Sequence, residues 1–260
     1  MNHSQQRVGF IGGGRVVRIL VGGWRHAGSL PAVILVNEPD DAAFLKLAAV
    51  CPDVRRSSME EAAAADVVFV ALHPPLFAAA LPALRPCLGA QATVVSLAPK
   101  VPLSALTAGL GTARVSRMIP NAPSIIGRGF NPVAFGDGLD AGSQQALLAL
   151  FAPWGACPEV PEGDLEAYAI LTGMGPTYYW YQWQALRDAA AQFGLSPERT
   201  DDALHQMLDG AQATLLRSGL SPSDVMDLIP VRPLQAIEES VTAAYGTALP
   251  ALYAKIRPTP

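Results

Sequence analysis

The chain has 260 residues, 50% of them hydrophobic and only 15% charged, with a net charge of −4 and a pI near 5.5. That balance predicts a soluble, core-rich protein of one or two domains, and it lacks the basic footprint of a nucleic-acid binder. The 3 cysteines (Cys51, Cys87, Cys157) and 4 histidines (His3, His26, His73, His205) are scattered, so neither a disulfide framework nor a metal site is expected, and the compartment expected is the reducing cytoplasm. The opening "MNHSQQRV" has no basic-then-apolar leader pattern. The most apolar stretch, "DVVFVALHPPLFAAALPAL", is broken at His73-Pro74-Pro75 before it reaches the roughly 18–20 residues of a membrane helix.

From Arg7 to about Cys157 short apolar runs alternate with helical ones. "VGFIG" reads as a strand and "RVVRILVGGWRHAG" as a helix ending at Gly28. "AVILVN" is the next strand and "DDAAFLKLAAV" the next helix, followed by "DVVFVAL" as strand and "PLFAAALPAL" as helix. "ATVVSLA" and "ARVSRMI" are further strands, and "NPVAFG" adds one more. Wholly apolar strands separated by helices predict a parallel sheet covered on both faces, a Rossmann-type doubly wound α/β fold.

After "CPEVPEGD" the pattern is helical. The segments are "LEAYAILTGMGPTYYWYQWQALRDAAAQF", "SPERTDDALHQMLDGAQATLLRSG", "SPSDVMDLI" and "PLQAIEESVTAAYGTALPALYAKI". Ser196-Pro197 and Ser221-Pro222 have the serine cap and first-turn proline of helix starts. The expected division is a dinucleotide-binding domain over 1–160 and a helical domain over 161–260, with the boundary near Pro161.

The turn "GFIGGGRVV" leaves its strand at Gly12. Gly12 suits a tight turn, and Gly14 suits close approach of the backbone to a pyrophosphate at the helix N-terminus. Val17 replaces the small third residue of G-x-G-x-x-G, which predicts a slightly looser helix–strand contact. The candidate cofactor residues at this turn are Gly12, Gly13, Gly14, Arg15 and Val16. Asn37 and Glu38 end the second strand, where an acid meets the ribose. A carboxylate there accepts from a free 2′-OH and repels a 2′-phosphate, so Glu38 favours NAD, while Arg15 and Arg18 offer phosphate charge. The bland alternatives are a glycine-rich turn with no ligand and a solvated Glu38 in "NEPDD".

With the helical half included, the order of motifs resembles the pyrroline-5-carboxylate reductase family. "GFIGGGRVVRILVGG" is similar to its opening, "DVVFVALHPP" to its A-V-K-P segment with His73 in place of lysine, and "VVSLAPK" to its S-I-A-A-G turn. "RMIPNAPSIIGRG" resembles R-x-M-P-N-T-P-x-x-x-G-x-G, and "LTGMGPTYYWYQWQALRDAAAQFGL" resembles S-G-S-G-P-A-Y and its following helix. The resemblance implies reduction of a cyclic imine with NADPH or NADH and a helical domain that intertwines with a second subunit. It adds Ala71, Leu72, His73, Pro74 and Asn121 to the cofactor residues. Asn121 and Thr172 become candidate catalytic residues, and Gly173, Met174, Gly175, Pro176, Val231 and Arg232 candidate substrate residues.

The family's S-P-G-G-T-T, which helps hold the substrate carboxylate, is replaced by "IPVRPL", Ile229 to Leu234. Arg232 is then either a carboxylate fork or a surface arginine. Gly173 and Gly175 serve either a ligand or helix packing. The rings from Tyr178 to Trp183 suit core or dimer packing, with an aromatic wall for one or two of them. The lysines are Lys46, Lys100 and Lys255. None lies in the long central helix of the second half, where β-hydroxyacid dehydrogenases and ketopantoate reductases keep a catalytic lysine. That favours a C=N over a C=O substrate. The expected partners are a small molecule and a second copy of the chain, with neither nucleic acid nor membrane. The rival readings are an oxidoreductase of the deazaflavin (F420)-dependent NADP type and a non-catalytic nucleotide-binding dimer.

Overall fold

A computed structural model describes residues 6–258, with only the backbone of Pro74 and Pro75. The chain divides into two compact units, one running to Met174 and taking in the segment from Leu252, the other Gly175–Ala251. The compact units part after Met174.

In the first unit, β1 (Arg7–Ile11), β2 (Val33–Asn37), β3 (Val54–Arg56), β4 (Val67–Val70), β5 (Thr93–Ser96) and β6 (Val115–Met118) are parallel and lie in the order β3-β2-β1-β4-β5-β6. After the two-residue β7 (Gly129–Phe130), β8 (Val133–Phe135) joins the edge antiparallel to β6. β7 pairs instead with β9 (Gly155–Ala156). The helices are α1 (Arg15–His26), α2 (Asp41–Val50), α3 (Met59–Ala63), α4 (Pro74–Leu84), α5 (Leu103–Leu110), α6 (Ala141–Phe151) and the single turn α7 (Leu165–Tyr168). This is the doubly wound architecture read from the sequence.

The strands are apolar on both faces because both are covered. Val8 and Phe10 of β1 point to a cluster with Val17, Leu20 and Trp24 of α1 and with Phe69, Phe151 and Trp154. Ile11 points the other way, to Val68, Val70, Phe77, Val94 and Leu106. Trp24 and Trp154 lie 4.7 Å apart between ring centroids. Each indole N–H donates across the cluster, Trp24 to the Leu150 carbonyl at 2.8 Å and Trp154 to that of Leu20 at 2.7 Å. Both buried donors are thereby satisfied. Val17 is wholly buried in this cluster.

The sequence pattern passes over β3, α3, α5 and α6. β3 and α3 are three and five residues long. α5 and α6 bury only a few positions each, Leu106 and Leu110 in one and Leu147, Leu150 and Phe151 in the other. The segment read as one long helix from Leu165 is broken. A π-helical turn, Ala169–Gly173, follows α7, then a 3-10 turn, Gly175–Tyr178, and only then α8 (Trp180–Gln192). Pro176 has no N–H to continue a helix and disfavours helical torsions at Gly175.

The second unit contains α8, α9 (Pro197–Arg217), α10 (Pro222–Asp227) and most of α11 (Gln235–Ile256). Both predicted caps are made. Ser196 accepts from Arg199 N, and Ser221 accepts from Asp224 N in a reciprocal capping box. α8, α10 and α11 bury no residue among those described, while Trp180, Phe193, Leu216, Ile229 and Val231 are exposed.

Candidate functional site

The strand order reverses between β1 and β4, and ligands of open α/β sheets bind at such a point beyond the carboxyl ends of the strands. The glycine turn leaves β1 there. Gly12 has φ +97°, and a Cβ on it would lie 2.8 Å from the Ala71 carbonyl oxygen. Its N–H donates to Asn37 O at 2.8 Å, while Ala71 N donates to Ile11 O at 2.9 Å. The ends of β1, β2 and β4 are thus laced together through one glycine.

Gly14 caps α1 without a side-chain hydrogen bond, and a Cβ on it would meet no atom within 4 Å. The unpaired N–H groups of the first turn therefore open onto free space, a cradle that fits the pyrophosphate of a dinucleotide. Arg15 and Val16 stand in that first turn, Arg15 exposed and Val16 half-buried.

Glu38 bridges the glycine turn and its own loop. One carboxylate oxygen accepts from Gly13 N at 2.8 Å and the other from Asp40 N at 2.9 Å. Beside them lies a cavity of about 220 Å³ lined by Gly13, Gly14, Arg15, Arg18, Asp40 and Lys46. Three cations therefore face one lining carboxylate. Across the switch point, Leu72 borders Gly12, its Cδ2 3.2 Å from where a Cβ would be. His73 is exposed and caps α4 through its carbonyl alone, its ring making no capping bond. Pro74 opens α4.

Asn121 follows β6 and is buried. Its side-chain oxygen accepts from Phe130 N at 3.1 Å, its Nδ2 donates to Thr172 O at 3.4 Å, and its N–H donates to Asn131 Oδ1 at 3.0 Å. Thr172 donates its hydroxyl to Tyr168 O at 2.9 Å. The structure brings Asn121 and Thr172 together: the Asn121 amide holds the Thr172 carbonyl, while the Thr172 hydroxyl is bound within its own turn. A Cβ on Gly173 would make only an ordinary 3.4 Å contact with Ile119, and one on Gly175 none within 4 Å. Packing within the chain requires glycine at neither. Met174 ends the first unit, with its N–H on Ala169 O. Pro176, Val231 and Arg232 belong to the second, where Arg232 ion-pairs with Glu238 at the surface. Burial raises the Cys157 thiol to a pKa of about 11, so it stays protonated at neutral pH.

Two features of this edge lie outside the candidate site residues. Arg117, 1% exposed on β6, reaches Glu162 at 2.9 Å and also pairs with Glu166, itself 1% exposed. An arginine inside the apolar run "VSRMI" is the sequence signal for such a partner. Gly22 and Gly23 sit inside α1, and a Cβ on Gly23 would come 2.3 Å from Ser124 O and 2.8 Å from Trp154 Cδ1. α1 thus lies directly against the 3-10 turn Ala122–Ile126 that follows Asn121. Gly23→Ala should cost about 1–3 kcal/mol by overpacking, lowering the unfolding midpoint by several degrees in a thermal melt. An unchanged midpoint would show that the turn yields freely.

Comparison with known proteins gives two family models, one for each half. The description "NADP oxidoreductase coenzyme F420-dependent" matches residues 7–100, and "pyrroline-5-carboxylate reductase dimerisation" matches residues 162–254. The pyrroline-5-carboxylate reductase of Pseudomonas aeruginosa is 32% identical over 225 residues, which cover 85% of this chain and 82% of that protein. The chain belongs to the pyrroline-5-carboxylate reductase family. The Plasmodium falciparum pyrroline carboxylate reductase, solved with NADP bound, shares its fold at TM-score 0.81 and 21% identity over 97% of each chain. The Coxiella burnetii pyrroline-5-carboxylate reductase superposes at TM-score 0.67 with 25% identity, over 97% of this chain and 94% of that one.

Membership of the family makes this chain an NAD(P)-dependent oxidoreductase, and its second unit falls within the family's dimerisation domain. The exposed apolar residues of α8–α11 lie within the stretch matched by the dimerisation model. No described helix is long and apolar enough to cross a membrane. The described residues hold no group of three or more His, Cys, Asp or Glu able to bind a metal.

Proposed function

We propose that this family member is a cytoplasmic homodimer that reduces the C=N bond of a small, carboxylate-bearing imine with NADPH. The observation that carries the reading is the uncapped Gly14 cradle beside Arg15, Arg18 and Lys46, in a chain with pyrroline-5-carboxylate reductases as relatives along most of its length. The nicotinamide, when bound, supplies the hydride. The protein's part is to hold the two reactants in register and keep water away.

The first-turn N–H groups of α1 take the pyrophosphate. The cations beside them take the adenosine 2′-phosphate. Glu38, expected from the sequence to favour NAD, has both oxygens engaged by backbone N–H groups, which offset its charge. The state of Asn121 and Thr172 favours an imine over a ketone. A developing alkoxide needs a donor, and the Thr172 hydroxyl and one N–H of the Asn121 amide are engaged by backbone carbonyls. A protonated imine becomes an amine by accepting the hydride alone.

Titration of nucleotide fluorescence, followed by oxidation at 340 nm with 1-pyrroline-5-carboxylate, tests the reading. Failure to bind either nucleotide overturns it, and binding without turnover on any imine supports the non-catalytic alternative. Arg18→Glu should weaken NADPH binding about tenfold (~1.4 kcal/mol) while NADH changes little. An unchanged NADPH:NADH ratio would remove the cationic cavity from phosphate recognition. The deazaflavin reading draws on the model over residues 7–100, which spans the nucleotide half alone. Hydride exchange between NADP and a reduced deazaflavin, with no imine turnover, would favour it.

A further inference from the structure

Lys100 is the non-glycine residue with a positive φ, +75°, among those described. A side chain is disfavoured in that conformation, which persists only where the surroundings over-determine it. Here they do. The segment leaves the carboxyl end of β5 and is bound at both sides. Leu97 N donates to Val70 O at 3.1 Å, Lys100 N to Glu166 Oε1 at 3.0 Å, and Leu103 N to Glu162 Oε1 at 2.7 Å. Glu162 and Glu166 are the carboxylates that grip buried Arg117. One polar cluster therefore both holds the end of β6 and clamps the strained residue.

Lys100 is exposed, and its ammonium enters no ion pair among the described residues. It stands on the ligand-binding edge of the sheet. Glu166, which holds its backbone, lies on α7, and the π-helical turn that follows α7 carries Thr172, the partner of Asn121. Arg117, on the same edge, is already outweighed by two carboxylates. Arg15, Arg18 and Lys46 line the cavity beside the glycine turn.

We propose that Lys100 binds the carboxylate of the substrate and so sets the enzyme's preference for anionic imines, an inference that rests on the imine reductase reading above. An ammonium on a clamped backbone is a fixed-origin point charge on a flexible stem, suited to a carboxylate presented from solvent. Glycine would relieve the backbone at this position, so in this chain strain and charge fall on one residue.

The test compares wild type, Lys100→Gly and Lys100→Arg on two substrates, 1-pyrroline-5-carboxylate and 1-pyrroline, which lacks the carboxylate. Lys100→Gly should raise KM for the carboxylate substrate at least tenfold, leave KM for 1-pyrroline within twofold, and keep or raise the melting midpoint. Lys100→Arg should recover most of the affinity. An equal change on both substrates, or none, overturns the proposal. In parallel, calorimetry on the NADP-loaded protein measures L-proline against pyrrolidine. A wild-type preference for proline that Lys100→Gly erases supports the assignment even where no imine is turned over. No preference in wild type, or one unaffected by Lys100→Gly, overturns it.

Discussion

Arg117→Ala is expected to lower the unfolding midpoint by about 6–20 °C, the largest stability effect of any single substitution at this site. Arg117 and Glu166 are each 1% exposed, and Glu162 completes the cluster. Removing the guanidinium leaves a carboxylate in the protein interior with no counter-charge, which costs about 3–5 kcal/mol. That loss measures the broken pair, not the net worth of the intact one. Replacing Arg117 and Glu166 together by apolar residues of similar volume should therefore recover much of it. Arg117→Lys should fall between, because an ammonium cannot reach two carboxylates as a planar fork does. Thermal melts without nucleotide decide the matter, and a midpoint within 2 °C of wild type for Arg117→Ala would mean that water replaces the guanidinium.

Gly12→Ala is expected to weaken nucleotide binding by at least about a hundredfold (~2.7 kcal/mol) and to lower stability as well. Its φ of +97° disfavours any side chain, and the new methyl would meet Ala71 O at 2.8 Å. Relief requires the turn to swing out, away from the Asn37 carbonyl that holds it. Gly14→Ala is the informative contrast. Its φ is −70°, and a Cβ there meets nothing within 4 Å. A methyl at that position disturbs only the cradle, so nucleotide affinity should fall while the midpoint holds. Nucleotide fluorescence and melting on the same samples separate the two, and equal effects on both readouts in both variants would sink the distinction.

The nucleotide half was legible because it is written locally. The apolar strands and the glycine turn each state their conformation within a few residues, as the serine-proline caps do in the helical half. Elements that depend on remote partners were less readable. α5 and α6 bury too few positions to impose a helical period, and the break after α7 is set by Pro176 inside a run that otherwise reads as continuous helix. The roles of Asn121 and Thr172 show the same limit. Sequence identifies an amide and a hydroxyl at the right place, but the direction of their hydrogen bonds belongs to the tertiary structure, which turns both toward backbone. Glu38 behaves likewise: a carboxylate at the end of β2 is legible, its engagement with Gly13 and Asp40 is not. Lys100 has a faint local signal, since it stands at the glycine of the S-I-A-A-G turn, but its positive φ and its clamp belong to the tertiary structure.

The reciprocal indole bonds of Trp24 and Trp154 have a spectroscopic consequence. The chain's 4 tryptophans fall into two pairs, Trp24 and Trp154 sealed in the first unit, Trp180 and Trp183 on α8 in the second. Two indoles at 4.7 Å and 36° between planes couple excitonically, giving the first unit its own near-ultraviolet dichroism. Emission from half-exposed Trp180 reports separately on the helical unit. One unlabelled sample thus carries two optical clocks, and nucleotide and subunit association can each be timed on its own.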